Sequence, residues 1–323
     1  MEMKEIIEPI RDELEATKKV LRHTLASDVA LIGDMAHYIV TLKGKLLRPI
    51  LVLLSTKACG QVTEQATKAA AGLELIHVAT LIHDDVVDGS EVRRGMPALH
   101  SVWSNRASIL MGDYLLSHAF SLFVGTGSQQ TLEILAKATV RLSSGEIHQI
   151  QQSEGMETAE EVYFKVIADK TAALFSAGCE MGPVLDGADG DVRKTMAGFG
   201  ENLGLAFQIT DDILDFEGTE EETGKPSGSD LRGKHLTLPL IHALDAAPPS
   251  KAEKIRRAVE NDVTAEQWQQ VRSFIRSYGG IDYAASRARE YAKRAGSLLE
   301  SLEDSAAKAA LSKLVSYSVG RRR

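Results

Sequence analysis

The sequence is short of several things, and each shortage removes a class of explanation. It has two cysteines, Cys59 and Cys179, which form no close pair in the chain and match no metal-ligand spacing. Neither a disulfide framework nor a thiolate zinc site is indicated, and both read as small apolar residues of a protein in a reducing cytoplasm. Eight prolines and 5% aromatic residues are few, and with abundant Ala, Leu, Glu and Lys the composition leans to helix. Positive charge is in deficit, with 37 Lys and Arg against 45 Asp and Glu and a net charge of −8. Nucleic acid is therefore not an expected partner. No apolar run approaches the roughly 20 residues of a membrane-spanning helix, so an integral membrane protein is not expected. The opening MEMKEIIEPIRDELEATKKV is charged and lacks the apolar core of a secretory signal. No low-complexity linker divides the chain, so a single domain over residues 1–323 is expected. There is no GxxxxGK[ST] phosphate loop, no EF-hand spacing and no Ser-His-Asp or Cys-His set that would suggest a side-chain nucleophile.

What is present is helical periodicity. Ile7, Ile10, Leu14, Leu21 and Leu25 recur at spacings of three, four and seven. Helices are also expected near 47–59, 64–88, 106–124, 129–152, 158–182, 191–217, 234–246, 251–260, 264–277, 281–300 and 304–319. No sustained period-two pattern predicts a strand. With 44% hydrophobic residues the chain can bury a large core.

Two stretches repeat one pattern. LIHDDVVDG carries Asp84, Asp85 and Asp88, and QITDDILDFEG carries Asp211, Asp212 and Asp215. In a helix the first and last aspartate of each set share a face, with the middle one about 100° round the axis. Both sets lie just ahead of a glycine, Gly89 and Gly218, so each is expected in a last helical turn. There the carboxylates face the negative end of the helix dipole and repel one another at i, i+4. A hard divalent cation offsets both effects, and Mg²⁺ is usually held by one or two carboxylates plus substrate phosphate. A lone histidine beside the first set, His77 or His83, reads more readily as a hydrogen-bonding group than as a ligand.

Cations lie close in sequence to both sets. Arg93 and Arg94 follow the first; Lys225, Arg232 and Lys234 follow the second; Lys45, Arg48 and Lys170 stand elsewhere. Basic side chains beside Mg²⁺ are what a diphosphate group requires. The loops 89–100 and 217–234 are long for a compact helical domain, a mark of functional loops.

At these residues the sequence resembles the trans-prenyl diphosphate synthases of the polyprenyl synthetase family. The resemblance runs through GKLLRP, ELIHVATLIHDDVVD, RRGMPALH, GDYLL, DKTAALF, FQITDDILDF, GKPSGSDL and LTLPL, in family order over nearly the whole chain. It implies an all-α fold, a single large helical bundle of the class I isoprenoid synthase type with a central active-site cavity. It further implies that Asp84, Asp88 and Asp211 hold about three Mg²⁺ ions on an allylic diphosphate. Asp85, Asp212 and Asp215 assist, with Asp215 counted among the ligands. Arg93, Lys170 and Lys225 hold that diphosphate, and Thr171 and Gln208 turn oxygen dipoles to the developing cation. Isopentenyl diphosphate is bound without metal by Lys45, Arg48, His77 and Arg94.

The sequence departs from the family pattern twice. Lys43 stands where a Gly-Gly-Lys run has its first glycine, so a positive φ there would carry about 1 kcal/mol of strain. In Gly233-Lys234-His235-Leu236-Thr237 the usual Lys position, counted back from Thr237, holds His235. Four and five residues before Asp84 stand Thr80 and Ala79, where short-chain relatives carry aromatic rings. A product tunnel should therefore continue past them to Ile76 and Leu73, with Phe120 and Phe123 as a floor. The expected activity is long-chain trans-polyprenyl diphosphate synthesis of roughly C30–C40 from a farnesyl or geranyl primer, for quinone side chains. A homodimer is expected, with the apolar helix from Ile109 to Phe123 as candidate interface. The alternatives are the catalytic subunit of a heterodimeric hexaprenyl or heptaprenyl synthase with a small partner, and a class I terpene cyclase.

Overall fold

The computed structural model describes residues 3–42, 44–155, 159–188, 190–217, 228, 231, 233, 235–259 and 263–320. Among these the chain is helical apart from one small hairpin, as expected. The order is α1 (Met3–Ile7), a 3₁₀ turn (Glu8–Ile10), α2 (Arg11–Thr24), α3 (Ala30–Thr41), α4 (Leu47–Cys59) and α5 (Glu64–Val87). Strands β1 (Val92–Arg93) and β2 (Met96–Pro97) follow, then α6 (Leu99–Val102), α7 (Asn105–Val124) and α8 (Gln129–Gly155). Next come α9 (Glu160–Ile167), a π-turn (Ala168–Ala172), α10 (Ala173–Leu185), α11 (Gly190–Glu217) and α12 (Leu238–Ala246). The series ends with α13 (Pro249–Val259), α14 (Ala265–Ser277), α15 (Gly280–Leu299) and α16 (Ala306–Gly320). Four features depart from expectation. Pro9 breaks the N-terminal helix because it lacks an N–H to donate. The periodic segment at 158–182 contains a π-turn. The hairpin and α3 were not foreseen.

The chain divides into two compact units. The first comprises residues 1–137, 174–200 and 296–314. Its centre is α5, where Ala69, Ala70, Ala71, Leu73, Ile76 and Ala79 are all within 1% of complete burial. A helix apolar on every side is a core helix. Helix α4 supplies the buried run Ile50–Leu54. Helix α7 packs on α5 through Met111, Leu115, Ala119 and Phe123, and the hydroxyl of Ser104 caps it by accepting the Ala107 N–H at 3.2 Å. At 20 residues α7 is long and apolar enough to cross a membrane by length and composition, which corrects the expectation that no segment approaches that measure. Its other face leaves Ile109, Leu110, Phe120 and Val124 exposed.

The second unit comprises residues 138–173, 201–295 and 315–323. Its core gathers on α12, with Leu238, Leu240, Ile241 and Leu244 buried among Phe216, Val271 and Ile275. Phe216 stacks on Trp268, with 5.3 Å between ring centroids. Leu240→Ala is expected to cost about 2–5 kcal/mol through lost burial and residual cavity. The shift of the urea midpoint measures it, and an unmoved midpoint would contradict the placement of this core.

Candidate active site

The first acidic set closes α5. The Asp88 N–H donates to the Asp84 carbonyl at 2.8 Å, so the helical turn runs to the last carboxylate. The three aspartates are not equivalent. Asp85 is 4% exposed, and Arg93 grips it: Nε lies 2.9 and 3.1 Å from its two carboxylate oxygens, and Nη2 also donates to Oδ1. Asp84 is half-buried and Asp88 exposed. The middle aspartate thus organises the protein, while the outer pair shares the solvent-facing side of the turn.

Arg93 is placed by the hairpin. Val92 pairs with Pro97 and Arg93 with Met96, leaving Arg94–Gly95 as a two-residue connection. Both have positive φ, +53° and +74°, the requirement of a type I′ turn. A side chain in that region costs roughly 1–2 kcal/mol, and such strain is held where the surroundings enforce it. The enforcement is visible. Arg94 Nη1 donates to the Leu42 carbonyl at 2.8 Å, and a Cβ on Gly44 would lie 2.7 Å from that nitrogen. A side chain at 44 would have to displace the guanidinium tip from this position.

The same segment carries Lys45, exposed, and Arg48, whose guanidinium lies 5.0 Å above the Phe175 ring. Between them Leu46 takes φ +53° and opens α4. Lys43, where strain was expected, lies outside the described residues. His77, two turns before Asp84 on α5, is buried, and burial, with Arg48, Arg94 and Arg93 around it, holds its imidazole well below the ordinary value of 6.5. Glu74 lies beneath: burial pushes its carboxyl up, and Arg48 and Arg94 draw it back. Arg48, Arg94 and Arg93 therefore form a cationic group around a neutral imidazole, and Lys45 lies in the same unit. His83 is a hydrogen-bonding residue, its Nε2 lying 3.1 Å from the Ile109 carbonyl.

The second acidic set repeats the division of labour. Asp212 is 2% exposed. Tyr163 donates its hydroxyl to Oδ2 at 2.7 Å, and Gln208 donates its amide N–H to Oδ1 at 2.8 Å. The amide oxygen of Gln208 in turn accepts the Thr171 hydroxyl at 2.8 Å. Thr171, Gln208 and Asp212 are thus one chain of hydrogen bonds, with Tyr163 as its far anchor. Asp211 is half-buried and Asp215 buried. Lys170 stands in the π-turn and donates to Glu146 at 2.9 Å. His235 has its Nε2 engaged, 2.8 Å from the Gln149 amide nitrogen. Lys225, Arg232 and Lys234 lie outside the described residues.

Among the described residues no three His, Cys, Asp or Glu side chains form a metal-holding group. Each acidic set offers an outer pair of carboxylates rather than a closed cage. That donor set fits Mg²⁺, which keeps waters and completes its shell with substrate phosphate. Zinc chemistry through cysteine has no support: burial pushes the thiols of Cys59 and Cys179 up to about 11 and about 12.

Below Asp84, Ala79 and Ile76 are buried and small to medium in size. Thr80 ties its hydroxyl to the His77 carbonyl at 2.9 Å, which leaves its methyl group as the apolar part. Phe123 is wholly buried, and a Cβ on Gly72 would lie 2.7 Å from its ring. Phe120 is 43% exposed, so the expected floor reduces to Phe123.

The depressed His77 pKa carries a pH signature. Below 6.5 and above the folded-state value the unfolded chain binds the extra proton, so stability falls with acidification in that window. The slope from this group is at most about 1.4 kcal/mol per pH unit. His77→Asn should lose less stability than the wild type between pH 7.5 and pH 5, read from denaturant midpoints. Parallel profiles would contradict a buried neutral imidazole.

The arrangement has counterparts among known proteins. The family model described as polyprenyl synthetase matches residues 29–275. The all-trans-nonaprenyl-diphosphate synthase (geranyl-diphosphate specific) of Rhodobacter capsulatus is 35% identical over 318 residues, covering 98% of this chain and 97% of that protein. The heptaprenyl diphosphate synthase component 2 of Geobacillus stearothermophilus is 34% identical, covering 100% and 99%. A crystal structure of polyprenyl synthase from Caulobacter crescentus CB15, complexed with calcium and isoprenyl diphosphate, superposes with a TM-score of 0.96 at 36% identity, covering 100% and 98%. A match of that span makes this chain a member of the polyprenyl synthetase family.

Proposed function

We propose that this chain is a long-chain trans-polyprenyl diphosphate synthase, which condenses isopentenyl diphosphate repeatedly with an allylic diphosphate. The observation that carries the reading is the arrangement found twice: a buried, protein-held middle aspartate between two outer carboxylates. Asp84 and Asp88 in one set, and Asp211 and Asp215 in the other, are the residues that would hold about three Mg²⁺ ions. Those ions supply charge neutralisation to the diphosphate leaving group. Arg93, through its Nη1 edge, and Lys170 add positive charge to that diphosphate. Lys45, Arg48 and Arg94 bind isopentenyl diphosphate, and His77 serves them as a neutral hydrogen-bonding group.

The reaction breaks the allylic C–O bond and forms a C–C bond from the alkene of isopentenyl diphosphate. A proton then leaves to the departing diphosphate. Thr171 and Gln208 orient oxygen dipoles towards positive charge developing on the allylic carbon, a preorganised electrostatic contribution. Apolar walls keep water from the cation. Ala79 and Thr80 leave room for the growing chain, and Phe123 limits it. The expected product has six to eight isoprene units, and the relatives are named for seven and nine. Quinone side chains are the expected use, and the cytoplasm the expected location, where the high-pKa thiols stay protonated.

The exposed apolar face of α7, with Ile109, Leu110, Phe120 and Val124, supports a homodimer. A second reading, a catalytic subunit that requires a small partner, draws on the relative named as a component.

Purified protein with isopentenyl diphosphate, farnesyl diphosphate and Mg²⁺ should yield, after dephosphorylation, an alcohol ladder ending beyond four isoprene units. Farnesyl diphosphate binding without condensation would favour the partner-dependent subunit. A hydrocarbon formed without isopentenyl diphosphate would replace the reading by a cyclase. Ala79→Phe should end the ladder earlier, and an unchanged ladder would remove Ala79 from the tunnel.

A further inference from the structure

The proposed reaction gives Lys170 and Thr171 their tasks, and both stand in the π-turn Ala168–Ala172. There the Ala173 N–H bonds to the Ala168 carbonyl, five residues back rather than four. Inserting one residue into a helix turns everything beyond it by about 100°. The π-turn therefore decides which way the two side chains point. Such turns have poorer intrinsic hydrogen bonding than an α-helix and frequently mark functional sites.

One side chain holds the turn from outside. Arg141, on α8, donates Nε to Asp169 Oδ1 at 2.7 Å and Nη2 to the Ala168 carbonyl at 2.9 Å. Its outer edge forks onto Glu201 of α11, with Nη1 at 3.0 Å and Nη2 at 2.7 Å from the two oxygens. Glu201 lies two helical turns before Gln208, on the same face. Arg141 thus joins the turn that carries Thr171 to the helix that carries its partner Gln208. The next turn of α8 supplies the rest of the grip. Gly145 allows close approach, since a Cβ there would lie 2.7 Å from the Lys170 backbone nitrogen. Glu146 receives the Lys170 ammonium at 2.9 Å.

We infer that Arg141 is a positioning residue: its guanidinium holds the π-turn in the register that aims Lys170 and Thr171. The inference rests on the synthase reading. It touches no part of isopentenyl diphosphate recognition, so kcat should respond and the KM for that substrate should not. A lysine does not replace it, because a single ammonium cannot bridge a carboxylate, a carbonyl and a second carboxylate in one plane.

The test compares wild type, Arg141→Ala and Arg141→Lys. The side chain is 35% exposed, so added methylguanidinium can reach the space left by Arg141→Ala. Displacing reacting groups by about 1 Å can cost 10²-fold; Arg141→Ala should lose at least about tenfold in kcat. Its KM for isopentenyl diphosphate should stay within about twofold of wild type, and methylguanidinium should restore part of the rate. Arg141→Lys should remain about fivefold slow, and it carries the test alone if Arg141→Ala does not fold. A wild-type rate in either variant, or a loss that methylguanidinium leaves untouched, overturns the inference. Calorimetry with farnesyl thiodiphosphate and Mg²⁺ separates the two levels. If wild type binds this analogue yet never condenses, the synthase reading fails by itself. Binding by Arg141→Ala should still be weakened about tenfold through Lys170, and unchanged binding overturns the inference.

Discussion

A buried helix that ends in three carboxylates must answer for their charge, and much else in the first unit follows from that. The body of α5 is enclosed on every side, so its C-terminal turn emerges from apolar surroundings carrying Asp84, Asp85 and Asp88. A buried carboxylate without a partner would cost several kcal/mol. Asp85 escapes that cost through Arg93. The hairpin that presents Arg93 then has a reason to exist despite strands of only two residues. It brings Arg94 round a strained turn to Leu42 and Gly44, and so towards the start of α4. One ion pair therefore couples the acidic set to the cations grouped around His77.

The second unit meets the same constraint with different chemistry. Asp212 is held by a phenol and an amide rather than by a guanidinium. These neutral donors pass orientation onward through Gln208 to Thr171. The first middle aspartate is thus a charge anchor, and the second is a relay that aims two polar side chains. Rigid placement of this kind on helices, backed by locked neighbours, is what a site needs when most of its catalytic power is electrostatic.

Legibility in the sequence followed the range of the interactions. The ends of α4, α5, α7 and α11 were readable because apolar period, glycine punctuation and the Asp sets are all local. The outer and middle aspartates were separable in principle by the 100° offset, yet the partners of Asp85 and Asp212 were not equally visible. Arg93 lies eight residues from Asp85, whereas Tyr163 lies forty-nine from Asp212. No local pattern marks Tyr163 as anything but a core aromatic. The π-turn was hidden for a similar reason, since the sequence ADKTA carries no breaker and the cause lies in Arg141 and Gly145 on another helix. The positive φ of Leu46 and Arg94 was not legible, because tertiary contacts rather than residue type impose it. Phe120 and Phe123 looked alike in sequence, and only packing against Gly72 separated them.

We propose that the outer aspartates, and not the middle ones, would present metal to the diphosphate. The most direct measurement is the Mg²⁺ dependence of farnesyl thiodiphosphate binding, by calorimetry, for wild type, Asp84→Asn and Asp85→Asn. The account predicts that wild-type binding requires Mg²⁺ and that Asp84→Asn loses that requirement together with most of its affinity. Asp85→Asn should keep the Mg²⁺ dependence while losing stability through the broken pair with Arg93. Binding indifferent to Mg²⁺ in the wild type, or Mg²⁺ dependence lost from Asp85→Asn and kept in Asp84→Asn, would contradict it.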